Sequence, residues 1–244
     1  MAKWERVFDG FASHLKGLGL SPSTVSLYHL GARMLINRNV PRSLRLMASP
    51  PPRHSRVIPP PSKNQLLKVW SRLDARGRCI VGVLKDSGIS ASDAVRLRVG
   101  DLEGYLEGEE FCHVRLVRVK EHVAYDTFLG PDATLSLREW LGGDATADTP
   151  VFTLAKPKGA AMGIEALRKY LKRLSMDVGV PLSTHRLRKY FATYMAMEIR
   201  HPVILKYWMG HKVAKGDVEA RYVIPPLPEQ MELYKKAYPA IRLA

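Results

Sequence analysis

The sequence predicts a mainly α-helical protein with a small antiparallel β-sheet, divided into two domains. Apolar residues recur at helical spacing over most of the chain, whereas residues 111–129 are rich in β-branched and aromatic side chains. Proline and arginine are concentrated in residues 49–61. We therefore expect a small helical domain at 1–48, a linker at 49–61 and a larger domain of the α+β type at 62–244.

The N-terminal domain is predicted to consist mainly of two helices. Trp4–Gly17 has helical apolar spacing. Ser21 is a good N-cap and Pro22 suits the first helical position, so a second helix should run to about Asn37.

The linker prediction depends on two triple-proline runs, Pro50–Pro52 and Pro59–Pro61, on either side of a basic stretch. Such segments favour an extended, semi-rigid backbone. A long surface loop within a single domain is the alternative.

Capping residues and glycines divide the larger domain into further helices. Ser62 and Gln65 form a capping-box pattern, Gly88 suits a helix end, and Ser90 with Asp93 marks a new start. The predicted helices are Ser62–Leu73, Arg76–Ser87, Ser90–Arg98, Leu135–Leu141 and Gly163–Val178, followed by an almost wholly helical chain from Ser183 onward. The segment 111–129 is predicted to form a hairpin that turns near Lys120.

Composition excludes several classes of protein. Hydrophobic residues make up 46% of the chain, but no apolar run approaches the roughly 18 residues that span a bilayer. Glu5 and Asp9 interrupt the N-terminal segment, which is untypical of a secretory signal. Cys79 and Cys112 alone cannot form a disulfide framework or a four-ligand zinc site. We expect a cytoplasmic or chromosome-associated protein that does not bind a membrane.

The basic charge suggests a polyanionic partner. The 38 Lys and Arg exceed the 23 Asp and Glu, which gives a net charge of +15. Between residues 33 and 56 there are six arginines and no acidic residue. These candidate DNA-binding residues are Arg33, Arg38, Arg42, Arg45, Arg53 and Arg56. A solvated, solubilising surface is the alternative.

The segment 184–193 carries the most specific motif. His185 and Arg188 are three residues apart, so they share one face near the positive end of a helix capped by Ser183 or Thr184. A guanidinium there can hold two phosphate oxygens, and an imidazole can exchange a proton beside it. Arg186 and Lys189 add charge for DNA, although these side chains could also form an ordinary basic helix face.

A second motif follows downstream. Gly210 suits a helix C-cap and would leave His211 on a turn, with Tyr222 eleven residues later. A tyrosine has an ordinary pKa of about 10 and needs nearby cations to act as a nucleophile. Alone, His211 and Tyr222 are more often packing residues.

Together these motifs resemble the tyrosine recombinase (phage integrase) family. The eleven-residue step from His211 to Tyr222, slightly longer than the commonest form, is similar to that of integrases of archaeal plasmids and viruses. The family pattern is a His-x-x-Arg box, a Gly-His turn and a tyrosine about ten residues on, matched by His185, Arg188, Gly210 with His211, and Tyr222. The resemblance covers residue 62 to the end. It also implies a catalytic lysine on the hairpin turn, for which Lys120 is the candidate, with an exposed structural lysine as the alternative.

One family position is missing. The first catalytic arginine normally follows a Thr-Gly or Ser-Gly pair and precedes an acidic residue, but Ser90 or Ala91 stands at that place between Gly88 and Asp93. Arg96 and Arg98 lie too far along the predicted helix to replace it. We therefore expect slow cleavage, faster after Ala91→Arg or, failing that, Ser90→Arg. The alternative is that Ser90 only caps the helix and another arginine completes the site.

The resemblance implies a site-specific recombinase that cuts double-stranded DNA through a 3′-phosphotyrosyl intermediate, for integration or excision of a mobile element. It implies no metal and no other cofactor, a homo-oligomer (dimer or tetramer) on DNA, and a reduced core-binding domain at 1–48. The tail from Pro225 to Ala244 could dock on a neighbouring protomer or on its own domain. A non-cutting DNA-binding protein of this fold, a type IB topoisomerase and a helix-turn-helix regulator remain as alternatives.

Overall fold

A computed structural model of the chain describes residues 3–42, 45–46, 59–120, 122–156, 159–211 and 224–244. It separates into two compact units, residues 1–58 and 59–244. Most of the predicted linker, residues 47–58, lies outside the described residues.

The described residues are mostly helical, with one three-stranded antiparallel sheet, as the sequence predicts. The α-helices are α1 (Lys3–Gly17), α2 (Pro22–Asn39), α3 (Lys63–Trp70), α4 (Ala75–Ser87), α5 (Ala91–Ala94), α6 (Pro131–Leu141), α7 (Ile164–Val178), α8 (Thr184–Ile199), α9 (Pro202–Trp208) and α10 (Leu227–Ala237). The strands are β1 (Leu102–Glu103), β2 (Cys112–Val117) and β3 (Ala124–Leu129), and 3₁₀ turns cover Val99–Asp101 and Tyr238–Ala240. None of the described helices is long and apolar enough to cross a membrane.

In the first unit, α1 and α2 pack as a helical pair. The Ser21 hydroxyl caps α2 by accepting the Thr24 amide. The rings of Phe8 and His29 meet across the pair, 4.3 Å between centroids. Beyond α2, the Asn37 side chain bonds both main-chain groups of Leu46, so Leu46 lies against the last turn of the helix.

The second unit is built around α4, which is buried along nearly its whole length and packs against α6 and α8. Gly82 allows the close approach of α6, because a Cβ there would lie only 3.1 Å from the Ala133 Cα. Cys79 is fully buried in this core. Gly88 ends α4 in the left-handed conformation.

The predicted helix at Ser90–Arg98 is wrong in length. Only Ala91–Ala94 is α-helical, and the chain then turns away to bond the segment near residue 150. The Val99 amide donates to the Thr149 carbonyl at 2.9 Å, and the Arg98 guanidinium donates to the Asp148 carbonyl. The Leu97 carbonyl, inside the predicted helix, accepts the Val151 amide at 2.9 Å, and the sequence pattern gave no sign of this long-range pairing.

The sheet has the order β1-β2-β3. The predicted hairpin is present as β2 and β3, with Cys112 opposite Leu129 and Val117 opposite Ala124. The two-residue strand β1 was not predicted, because it is too short to show alternation.

The C-terminal residues pack on their own unit, which is one of the two alternatives that the sequence left open. The fully buried Lys85 on α4 contacts Asp86 at 2.5 Å and Asp132 at 2.7 Å, and it donates to the Ile241 carbonyl at 3.0 Å. Asp132 in turn accepts the amide of Leu243 at 2.7 Å. This buried ion cluster fixes the end of the chain to the core.

Candidate active site

Helix α8 presents the His-x-x-Arg motif. Ser183 caps the helix by accepting the Arg186 amide at 3.2 Å, so of the two predicted caps it is the one used. His185 is exposed on the first turn, and Arg188 is 8% exposed one turn later. The motif therefore pairs an accessible imidazole with a guanidinium that is held by the protein.

Arg188 connects three parts of the second unit. Its Nη1 donates to the Gly88 carbonyl at 2.6 Å, and its Nη2 donates to the Met209 carbonyl at 2.6 Å. Nη2 also lies 3.1 Å from the His211 Nε2. The structure thus brings together the His-x-x-Arg motif, the Gly-His turn and the Gly88 segment, where the family resemblance leads us to expect a further arginine.

The turn at Gly210 requires glycine on two grounds. Its φ of +65° lies in the left-handed region, and a Cβ would come within 2.9 Å of the Tyr125 ring. The turn aims the Met209 carbonyl at Arg188 and leaves the His211 side chain exposed.

Lys120 lies at the tip of the β2–β3 hairpin, as predicted, and is exposed. The turn is closed by main-chain bonds from Arg118 to Val123 and from His122 to Arg118, both 2.9 Å. His122 takes a positive φ of 52° to complete it. Lys120 is therefore accessible to a ligand at a turn that two main-chain hydrogen bonds close.

The segment of Ser90 and Ala91 contacts this hairpin through Asp93. The Ser90 hydroxyl caps α5 and donates to the Asp93 carboxylate at 2.7 Å. Asp93 also accepts the Val119 amide at 3.1 Å and the Tyr125 hydroxyl at 3.3 Å. Ser90 and Ala91 are both partly exposed.

Arg118 is a residue of this site that the sequence reasoning missed. Its Nη1 donates to the carbonyls of Gly210 at 2.6 Å and Met209 at 3.2 Å. The Met209 oxygen therefore accepts from both Arg118 and Arg188. Arg118 lies just beyond the end of β2, and no spacing pattern marks it, because its role comes from a contact with the distant Gly210 turn.

The remaining predicted residues differ in their placement. Burial lowers the pKa of His185, with further lowering from the neighbouring Lys189 and Arg188 charges. Lys189 is half-buried on α8, while the Arg186 guanidinium donates to the Pro59 carbonyl at 3.2 Å. Tyr222, Arg53 and Arg56 lie outside the described residues.

Other tyrosines near the site are unsuited to nucleophilic attack. Burial raises the pKa of Tyr125, Tyr190 and Tyr207. Tyr190 is fully buried, and the hydroxyls of Tyr125 and Tyr207 donate to Asp93 and Asp126. A phenol that is desolvated or donates to a carboxylate ionises with difficulty.

Comparison with known proteins places this geometry in a family. The phage integrase family profile matches residues 57–222. Tyrosine recombinase XerC of Chromobacterium violaceum is 28% identical over 144 residues, which cover 58% of this chain and 46% of the relative. The match thus spans about half the length of that curated relative.

Solved recombinase structures share the fold. XerH bound to its difH substrate in a pre-cleavage complex is 18% identical, with a TM-score of 0.61 over 90% of this chain and 70% of XerH. A lambda integrase (75-356) dimer bound to a COC′ core site is 13% identical, with a TM-score of 0.59 over 86% of this chain and 79% of the integrase. Because the family profile covers well over half of the sequence, this chain belongs to the phage integrase family.

Proposed function

We propose that this chain is a site-specific DNA recombinase that cuts and rejoins strands through a 3′-phosphotyrosyl link at Tyr222. The observation that carries the proposal is the convergence of Arg188, the His211 turn and the Lys120 hairpin on one side of the second unit. This arrangement offers a fixed guanidinium, two accessible imidazoles and an exposed ammonium to one phosphate.

The residues would together catalyse a transesterification at the scissile phosphate. The Tyr222 oxygen attacks the scissile phosphorus, the bond from phosphorus to the 5′-oxygen breaks, and Lys120 supplies the proton to that oxygen. His185 accepts the tyrosine proton, a role that its lowered pKa favours because the ring is then neutral at pH 7. Arg188, His185 and His211 stabilise the charge on the non-bridging oxygens.

The reaction retains the phosphodiester energy in the protein–DNA bond. A 5′-hydroxyl from a second strand can therefore attack the phosphotyrosine and restore Tyr222 without a metal ion or a nucleotide. Exchange between two duplexes supports the proposal of a dimer or tetramer on double-stranded DNA. Integration or excision of a mobile element, with the protein at the chromosome, is the process that this chemistry would serve.

The direct test is covalent capture on a nicked suicide duplex, followed by a denaturing gel. We expect an adduct for the unmodified chain and none for Tyr222→Phe, with nearly unchanged DNA affinity in that variant. Tyr28→Phe, a change at a half-exposed tyrosine of the first unit, is the matched control and should keep the adduct. An adduct that persists in Tyr222→Phe, or that maps to Tyr190, Tyr194 or Tyr207, would contradict the assignment.

We further propose that residues 1–48 are a reduced DNA-binding domain joined through 49–61 to a catalytic domain at 62–244. Arg38, Arg42 and Arg45 are exposed, and Arg33 is half-buried. Because Asn37 bonds Leu46, the neighbouring Arg45 lies close to the end of α2, where Arg38 and Arg42 are also found. A cluster of cations at a helix C-terminus favours an anionic backbone.

Salt dependence tests this binding surface. Each phosphate contact contributes about 0.9 to the slope of log affinity against log salt, so roughly six contacts give a slope near −5. Replacing Arg38, Arg42 and Arg45 by Gln should make the slope shallower by about 2.7. A slope shallower than about −2 for the unmodified chain would exclude this segment from DNA.

A non-cutting DNA-binding protein is the second candidate, because Ser90 and Ala91 stand where the family has an arginine. The suicide duplex separates the two functions. Binding without any adduct in the unmodified chain, and also after Ser90→Arg or Ala91→Arg, would favour the second candidate. The matched relatives are recombinases, which does not favour a topoisomerase.

A further inference from the structure

We propose that Arg118 is the second phosphate-binding guanidinium of this site and takes the place of the arginine that is absent at Ser90 or Ala91. The inference rests on the proposed function. It revises the sequence-based expectation of a slow enzyme, because it supplies the missing cation from the hairpin instead of from α5.

The first support is the proximity of two guanidinium groups. Nη1 of Arg118 and Nη2 of Arg188 donate to the same Met209 oxygen, at 3.2 Å and 2.6 Å. The two side chains come from different elements, β2–β3 and α8, yet they meet at one atom of the turn that carries His211. Two forked donors side by side match the two non-bridging oxygens of a phosphodiester.

The second support is the position of Arg118 relative to Ser90 and Ala91, where the family has its first arginine. Ser90 bonds Asp93, and Asp93 accepts the amide of Val119, the residue directly after Arg118. Ser90, where the family has its arginine, is therefore linked to the residue next to Arg118 through a single carboxylate, that of Asp93. We infer that the guanidinium of Arg118, coming from the hairpin, can bind the same phosphate that an arginine at Ser90 or Ala91 would bind.

The third support is preorganisation. The main chain of Arg118 is fixed on both sides, since its amide donates to Val123 and its carbonyl accepts from His122. Its guanidinium is half-buried and is aimed by the Gly210 carbonyl. A donor held in place before the reaction stabilises developing charge without a cost of reorganisation at that moment.

The neighbouring Arg115, on β2, shows what an arginine of the same hairpin looks like away from the Gly210 turn. Its side chain is 78% exposed, and its described ion pair, with Asp126, is as long as 4.0 Å. Arg115→Ala is therefore the matched control for Arg118→Ala: both remove a guanidinium from the hairpin, but only one lies at the Met209 carbonyl.

The experiment compares two suicide duplexes at saturating protein concentration. One carries the normal scissile phosphate, and the other carries a neutral methylphosphonate, in which a methyl group replaces one charged oxygen. Removing that charge removes the need for one guanidinium.

On the normal duplex, Arg118→Ala should lower the cleavage rate roughly 10²–10³-fold. Arg118→Lys should lower the rate less, because the positive charge remains but the forked guanidinium is lost. On the methylphosphonate the deficit should shrink to below about tenfold, while Arg115→Ala should stay within about twofold on both.

Several results would overturn the proposal. An equal deficit on both duplexes would mean that Arg118 only supports the fold, and no deficit relative to Arg115→Ala would remove it from the site. If the unmodified chain does not cut but Ser90→Arg or Ala91→Arg does, Arg118 is not a substitute, although the proposed function stands. If none of these chains cuts, the proposed function itself fails.

Discussion

Two clusters of charged side chains in the described part of the second unit differ in what surrounds them. Lys85 is fully buried and contacts Asp86 and Asp132. Arg118 and Arg188 instead donate to main-chain carbonyls of one turn, next to the exposed His211. The first cluster is closed to solvent, whereas the second lies at an accessible surface.

The difference separates a structural role from a chemical one. A fully buried ammonium must be compensated by carboxylates, and here Asp132 also accepts the Leu243 amide while Lys85 donates to the Ile241 carbonyl. DNA cannot reach it. At the second cluster the protein fixes the direction of each guanidinium while histidines and Lys120 stay accessible, which suits a large anionic ligand.

The largest expected effect is on stability, from Lys85→Met. The substitution leaves Asp86 and Asp132 buried without their cation, and burial already raises the pKa of Asp86 to about 6. We expect a loss of about 3–5 kcal/mol in the free energy of unfolding, measured by urea denaturation. Lys235→Met, which breaks an exposed pair with Glu232, should cost at most about 1 kcal/mol. Equal losses in the two variants would mean that the buried cluster has no special structural role.

Arg188→Lys should produce the opposite pattern, a large loss of cleavage with a smaller loss of stability. Lysine retains the charge but cannot donate to Gly88 and Met209 while it holds two phosphate oxygens. The cleavage rate should fall roughly 10²–10³-fold on a suicide duplex at equal DNA occupancy. Arg168→Lys, at an exposed pair on α7, is the control and should cut normally. If the unfolding midpoint falls as far as in Lys85→Met, Arg188 belongs with the structural cluster.

The sequence predicted the fold class and most of the helix positions, because capping residues and periodicity are local signals. Ser21, Ser62 and Ser183 all cap the helices predicted for them. The helix predicted at Ser90–Arg98 was wrong because its second half bonds to residues some fifty positions away. Long-range pairing of this kind leaves no periodic trace.

The candidate site divides in the same way. His185, Arg188, Gly210 and His211 could be found from their spacing, and the structure brings Arg188 and His211 into contact. Arg118 could not be found, because its importance comes from a contact with a turn ninety residues later. Tyr222 stays a prediction.

The pH dependence of cleavage tests whether His185, beside the Arg118–Arg188 cluster, takes part in the chemistry. Burial and the nearby Lys189 and Arg188 charges lower the pKa of this ring, so it is neutral and able to accept a proton at pH 7. As the pH falls through a value below the ordinary 6.5, the ring becomes protonated and the rate should drop about tenfold per pH unit. His185→Gln should be slow and should lack this acid limb, whereas His14→Gln, at an exposed position on α1, should keep it. An acid limb that persists in His185→Gln would assign the titration to another group.

The smallest expected effect concerns His113, whose surroundings are intermediate between the two clusters. The ring is buried and lies between the carboxylates of Asp126 and Glu103, each 2.8 Å away. Burial alone would lower its pKa, but the hydrogen bonds and charges of Asp126 and Glu103 outweigh burial and raise it. A histidine whose pKa is higher in the folded state stabilises the protein fully below its unfolded value of about 6.5.

That stabilisation is lost as the pH rises through the folded pKa. As the pH rises above about 6.5, the unfolding free energy of the unmodified chain should therefore fall by more than that of His113→Gln, which has no charge to lose. Urea titrations of the two proteins across this range measure the difference, and parallel curves would mean that the ring stays neutral.

The Tyr207 hydroxyl donates to Asp126 as well, which joins the His113 cluster to α9 just before the His211 turn. If His113→Gln also changes cleavage at constant pH, then the cluster positions that turn; if it changes stability alone, it belongs with Lys85 on the structural side.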